Sequence, residues 1–247
     1  MENTASTFPA HRTAASIREF WDQRARQFGA DARATLRETH LRDLEVRIML
    51  SRLRRLKPAR VLDAGCGNGW STRQYALAMP RTQFVGADFS SAMIEHAARH
   101  SPPNCLFVVA DVMDASTLPP GPFDVVMTQR CIQNVPGWEN QKKAIRNLLK
   151  LRAPHGVAML MECSRDGVEQ LNRLRVFLGM SPIEGIEPWH NTFLRDARMI
   201  EEFGARIDYF SSTYMFLAKV VHKRLSAIAR HLPPLGRFGY DRLYLIR

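Results

Sequence analysis

VLDAGCGNGWST, residues 61–72, is the stretch on which the fold turns. An apolar run enters Asp63; Gly65, Gly67 and Gly69 then follow at alternate positions before a helical pattern begins at Trp70. Glycines so spaced permit positive φ and let a ligand approach the main chain, which is what a strand–turn–helix cofactor loop requires. Dinucleotide loops read G-x-G-x-x-G, with a small third residue for helix packing and a helix N-terminus open to pyrophosphate. Here the spacing is G-x-G-x-G, and Trp70 stands where the third glycine would be. A bulky indole there argues against a nicotinamide dinucleotide. Asp63 points the same way, because a carboxylate repels phosphates but suits a cationic or amine-bearing cofactor.

Outward from this turn, short β-branched or apolar runs predict strands at Arg60–Ala64, Thr82–Ala87, Cys105–Ala110, Phe123–Thr128 and Gly156–Met161. Helical patterns fall between them at about Trp70–Met79, Ser91–His100 and Glu139–Leu151. The alternation argues βαβ units and a mostly parallel sheet covered on both faces. Ile17–Leu56 is helical in pattern and rich in arginine, with an apolar stripe through Leu41, Leu44, Ile48 and Leu53. It predicts an N-terminal helical cap or lid over 1–57, ahead of a main domain over 58–247. Beyond the fifth strand, residues 163–204 read as a helical insertion on the substrate side, broken at SPIEGIEPWHN, 181–191. Ala205–Ser211 and Arg242–Arg247 complete an expected seven-stranded, Rossmann-like α/β sheet. A basic helical segment, Tyr214–His231 within 212–239, lies between those two strands.

Two further acidic residues end the second and third strands. Asp88 lies 23 positions after Gly65, close to the spacing of about 20 at which a carboxylate accepts ribose hydroxyls. Asp111 follows the third strand, where a side chain reaches toward an adenine amino group. Each alone also fits a helix cap or a turn; with the glycine turn, the three face one crevice at the carboxyl ends of the strands.

On these motifs the chain resembles the class I S-adenosylmethionine-dependent methyltransferases, over about residues 58–162. The resemblance rests on VLDAGCGNG, Asp88, Asp111, the fourth-strand motif FDVVMTQRCIQNV and the fifth-strand approach LLKLRAPHGVAMLME. It implies that Gly65, Gly67 and Gly69 pass under the methionine part of S-adenosylmethionine. Asp63 then sits near its amino group, Asp88 at the ribose and Asp111 at the adenine, with Phe89, Val112 and Gln129 as further cofactor neighbours. A narrower resemblance, carried by FWDQRARQFG (20–29), TQRCIQN (128–134) and LNRLRVFLGMSPIEGIEPWHN (171–191), is to bacterial methyltransferases of polysaccharide and secondary-metabolite pathways. Those relatives often read Ser-Glu-Arg where this chain has Thr128, Gln129 and Arg130, so a carboxylate is missing here.

Methyl transfer from a sulfonium needs alignment of the nucleophile and, for an alcohol or phenol, removal of a proton. His190, beside Trp189 and Asn191, is the expected base, since histidine titrates near neutrality. Arg130 is the second catalytic candidate, as a partner for an anionic substrate or for the cofactor carboxylate. Asn134, Glu162, Trp189 and Asn191 are the expected substrate contacts. Phe20 and Trp21 are candidates for a closing lid, with ordinary packing as their alternative.

Composition bounds the rest. The 247 residues are 45% hydrophobic and 24% charged, which excludes disorder and collagen. No apolar run reaches the roughly 18 to 20 residues that span a bilayer, and a cytoplasmic protein is expected. The four cysteines, Cys66, Cys105, Cys131 and Cys163, form no C-x-x-C pair, so they read as small apolar residues and no metal site is expected. The net charge of +11 divides as +5, +2 and +4 over residues 1–57, 58–162 and 163–247. The basic flanks leave three acceptor classes open: a small molecule, most simply an oxygen of a sugar or secondary metabolite; a membrane lipid or quinone; and nucleic acid. No N-P-P-[FYW]-like motif follows the fourth strand and no nucleic-acid module is visible, so no stable nucleic-acid partner is expected. The interleaved basic and apolar residues after Leu217 read as a solvated amphipathic helix or a peripheral membrane contact.

Overall fold

The computed structural model describes residues 13–247; the first twelve residues of the expected cap lie outside them. Helix α1 (Ala14–Phe28) starts on a reciprocal cap in which the Thr13 hydroxyl accepts from the Ser16 N–H at 3.1 Å and Ser16 Oγ accepts from the Thr13 N–H at 3.0 Å. It ends at Gly29, whose φ of +53° suits glycine. The helical pattern over 17–56 is carried by two helices: a short turn over Ala32–Ala34, capped by Asp31, leads into α2 (Thr39–Leu56).

The sheet follows as β1 (Arg60–Ala64), α3 (Trp70–Ala78), β2 (Gln83–Asp88), α4 (Ser91–Ala98), β3 (Cys105–Val109), β4 (Phe123–Gln129), α5 (Trp138–Leu149) and β5 (Arg152–Cys163). Helices α6 (Arg165–Phe177) and α7 (Asp196–Phe203) then flank an irregular stretch. After β6 (Arg206–Asp208) come α8 (Ser212–Phe216), α9 (Ser226–Ala229) and β7 (Asp241–Ile246). The seven strands run in the order β3-β2-β1-β4-β5-β7-β6. Strands β1 to β5 pair in parallel and β7 is antiparallel to both neighbours, with Met161 opposite Leu243.

Alternation along the strands sorts the core into two layers. Val61, Val125, Met127, Met159 and Met161 pack on one face with Tyr75, Phe84 and the α2 residues Leu41, Leu44, Met49 and Leu53. Leu62, Ala64, Val126, Ala158, Leu160 and Tyr244 pack on the other with Ile145 and Leu148 of α5. Helix α2 thus belongs to the same core as the sheet, whereas α1 lies against α4.

The basic segment is not the continuous helix expected over 214–231. A wide π-type turn over Leu217–Val221 follows α8, and His222, extended at φ −163°, breaks the chain before a short turn leads into α9. Lys219 pairs with Glu38 at 2.5 Å and Arg230 with Asp43, so tertiary ion pairs to the N-cap and the second turn of α2 hold part of this segment against the body. No described helix is long and apolar enough to cross a membrane.

Candidate active site

Two adjoining clefts open at the carboxyl ends of β1, β2 and β4. The first encloses about 750 Å³, its open mouth included. Its lining includes Asp63, Gly65, Gly67, Asp88, Phe89 and Gln129. At Gly65, φ is +76° and a Cβ would fall 2.4 Å from that of Cys131, so the turn after β1 can pass the loop after β4 only as glycine. Gly69 serves packing instead: it is absent from the lining residues, and a Cβ there would meet the Phe107 ring at 2.6 Å.

The carboxylates at the floor are almost fully buried. Asp88, 7% exposed, accepts from the Gly67 N–H at 2.8 Å and the Ser90 N–H at 2.9 Å. Asp63, 2% exposed, accepts from the Thr72 hydroxyl at 2.6 Å. Burial pushes the Asp63 carboxyl up to about 7 and the Asp88 carboxyl up to about 6, against the hydrogen bonds that favour their charged forms. Each retains acceptor capacity toward the cleft, a floor suited to hydroxyls, an amine or a cation.

Asp111 and Val112 are absent from the lining of either cleft. The Asp111 carboxylate accepts from the Met113 N–H at 2.9 Å and pairs with Arg18 of α1 at 3.3 Å, while Val112 packs on the α5 side of the core. Arg18 also donates to the Phe89 carbonyl at 2.7 Å, and Ser90 donates to Asp22. Through these bonds α1 closes over the tips of β2 and β3.

Cleft two is a vestibule of about 1,250 Å³, mouth included, beside the first. Trp21, Thr35, Leu36, Arg130 and Asn134 line both, so the clefts meet at the loop after β4. Its far wall is Pro188–Asn191 from the insertion, which brings the sequence-predicted His190, Trp189 and Asn191 together with Asn134. The His190 ring stacks on Phe20 at 4.3 Å and meets Trp21 edge-on at 5.5 Å; Trp21 Nε1 donates to Asn134 Oδ1 at 3.2 Å. Asn191 is 5% exposed, and its Oδ1 is buried without a hydrogen-bond partner.

Of two further candidates, Glu162 faces inward, and Arg130 lines both clefts but is held by ion pairs. Glu162 lines neither cleft and accepts from the Thr128 hydroxyl at 2.7 Å and from the N–H groups of Cys131, Ile132 and Gln133 at 3.0 to 3.2 Å. It latches the loop after β4 to the end of β5. Arg130, at φ +57°, spends its guanidinium on Glu45 of α2 at 2.7 Å and Asp241 of β7 at 2.7 Å. Gln129, which lines the first cleft, accepts from the Tyr75 hydroxyl at 2.9 Å and donates to Glu45 at 3.3 Å.

Residues 61–156 match the family model described as a methyltransferase domain. These residues contain the glycine turn, Asp88 and Asp111, the motifs that carry the resemblance to class I methyltransferases. Among curated relatives, it is 34% identical over 110 residues to the trans-aconitate 2-methyltransferase of Acidovorax sp. (strain JS42), covering 44% of this chain and 40% of that protein. It is 32% identical over 126 residues to the malonyl-[acyl-carrier protein] O-methyltransferase of Halorhodospira halophila, covering 49% and 39%. The chain thus spans about two fifths of the length of these relatives. Among solved structures, magnesium protoporphyrin IX methyltransferase from Synechocystis PCC 6803 superposes with a TM-score of 0.62 at 18% identity, over 95% of this chain and 100% of that one, a likeness of fold.

The matched residues supply the first cleft's floor, but most of the vestibule lies outside them, on α1, the 32–37 turn and the insertion. Sequence reasoning missed Arg18, Asp22, Arg42 and Glu45. On their helices these residues follow an ordinary surface pattern, and only packing against the strand tips brings them to the site. It also took every cysteine as filler, whereas Cys66 and Cys131 line the first cleft.

Proposed function

We propose that the protein transfers a methyl group from S-adenosylmethionine to an oxygen of a small-molecule acceptor, a sugar or similar metabolite. The observation that carries this reading is the junction of the clefts. A glycine turn with two buried carboxylates adjoins a vestibule that holds a histidine and an unpartnered buried amide oxygen. The residues fit the cofactor: Asp88 and Asp63 offer acceptors to ribose hydroxyls and an ammonium group. When bound, that cofactor supplies an electrophilic methyl.

The chain's own residues then bind, orient and deprotonate. Phe20 and Trp21 fix the His190 ring, whose role is to take the acceptor's proton as the oxygen attacks. Asn191 Oδ1 gains a donor when an acceptor hydroxyl enters, which orients that acceptor. Trp21 and Trp189 offer apolar faces, and the Arg18–Asp111 ion pair and the hydrogen bond from the Ser90 hydroxyl to Asp22 keep α1 over the site. A carboxylate oxygen is the second reading, favoured by Arg24 and Arg37 on the vestibule wall and by relatives named for trans-aconitate and a malonyl thioester.

The test is labelled-methyl transfer to a panel of sugars, hydroxylated metabolites and carboxylic acids, at low and high salt. His190→Ala should lower turnover by roughly 10²- to 10⁴-fold with S-adenosylhomocysteine affinity unchanged. Wild-type turnover in that variant removes His190 from the reaction. Transfer only to nucleic acid, falling steeply with salt, would overturn the small-molecule reading.

A further inference from the structure

Eight of the thirteen large apolar side chains left exposed among the described residues fall in two stretches that are tied to each other. Val176, Phe177 and Leu178 close α6, with Phe177 84% exposed; Phe216, Val221, Ile228, Leu232 and Leu235 run from the end of α8 to the loop before β7, with Leu235 72% exposed. Arg175 of α6 donates to the Lys219 carbonyl, and Gln170 of α6 donates to the Arg237 carbonyl at 2.8 Å. The Thr213 hydroxyl of α8 donates to the Pro233 carbonyl at 2.6 Å and accepts from the Leu235 N–H at 3.0 Å. The loop HLPPLGR, 231–237, is exposed throughout, so its two leucines stand on a tip that the body pins but does not cover.

Charge on this face is one-sided. From 209 to 240 the chain has five basic residues and no acidic one. Lys219 and Arg230 are spent on Glu38 and Asp43. Lys223, Arg224 and Arg237, with Arg173 of α6, are exposed and make no ion pair among the described residues. Soluble surfaces scatter exposed apolar residues singly among charges of both signs, whereas a concentration of them flanked by cations alone is a contact surface.

We propose that this face docks on an anionic lipid surface, with Leu232 and Leu235 entering the headgroup boundary and Lys223, Arg224 and Arg237 meeting lipid phosphates. Aliphatic side chains interleaved with cations are the chemistry of an interfacial segment. A second copy of this chain fits less well, because a two-fold contact through the same face sets its unpaired cations against their own copies with no carboxylate to answer them. Duplex nucleic acid answers the cations but leaves the leucines and Phe177 without apolar partners. None of these residues lines either cleft, so the proposal is independent of the cofactor reading.

Co-sedimentation of the full chain with vesicles of phosphatidylcholine alone, and of equal parts phosphatidylcholine and phosphatidylglycerol, tests it. Binding to the mixed vesicles that weakens with salt, and none to the neutral ones, is the expected result. Lys223→Gln, Arg224→Gln and Arg237→Gln combined should lower the partition coefficient roughly 100-fold, about fivefold per charge removed. Leu232→Ser with Leu235→Ser should lower it about tenfold or more, with thermal unfolding unchanged in both variants. Wild-type binding that is absent, or equal on the two vesicles, overturns the proposal, as does full binding by either variant. Self-association that the leucine variant abolishes, or duplex DNA binding that the charge variant abolishes, in the absence of vesicle binding overturns it in favour of a second copy or of nucleic acid. Should a variant fail to fold, the wild-type comparison between the two vesicles and across salt decides alone.

Discussion

Asp63 and Asp88 meet the cleft as carboxyls held at about 7 and about 6, far above their ordinary 3.8, because burial penalises the charged form. A ligand that brings an ammonium and hydroxyls favours ionisation, so affinity for S-adenosylmethionine should rise between about pH 5.5 and 8. Asp63→Asn should flatten that rise; an unchanged pH profile in this variant would show that Asp63 does not face the amine. For the ligand-free protein the sign is opposite. Folded values above the unfolded ones give a contribution to stability that is complete below about pH 4 and lost as pH climbs through 6 to 7. Both aspartates and Gly65 and Gly67 were legible in the sequence because the chemistry of a strand–turn–helix is local. Arg42 and Glu45 were not, because a helix shows only its own periodicity and their roles arise from what packs against them. Asp111 shows the converse: a strand-end aspartate whose carboxylate goes to a turn N–H and to Arg18.

At the element scale, the loop after β4 is set by Glu162, whose carboxyl, raised to about 7 by burial, accepts from the loop N–H groups that would otherwise be buried without partners. Glu162→Gln replaces one acceptor oxygen with a donor facing N–H groups. It should cost about 1 to 3 kcal/mol, a loss of roughly 2 to 12 °C in Tm for a chain of this size, while acceptor KM at permissive temperature changes little. A large KM effect with unchanged Tm would instead make Glu162 a substrate contact, as the sequence suggested. Strand positions were legible from apolar runs, yet two helix boundaries were not. Gly29 divides the N-terminal helical pattern, and the basic segment breaks at His222 while Lys219 and Arg230 turn back to α2.

Over the whole molecule, the tips of the doubly wound sheet provide the floor of the first cleft, and segments outside the matched residues build most of the vestibule wall. This division explains why the fold could be read from motifs while the acceptor could not. The fold is written in a contiguous block, whereas the vestibule assembles Phe20, Asn134 and His190 from three distant stretches. The most direct measurement is calorimetric titration of the purified chain with S-adenosylmethionine, S-adenosylhomocysteine and NADH. Saturable one-to-one binding of the two adenosyl compounds, with no heat from NADH, is the expected result; heat and thermal stabilisation from NADH alone would contradict the assignment of the cleft.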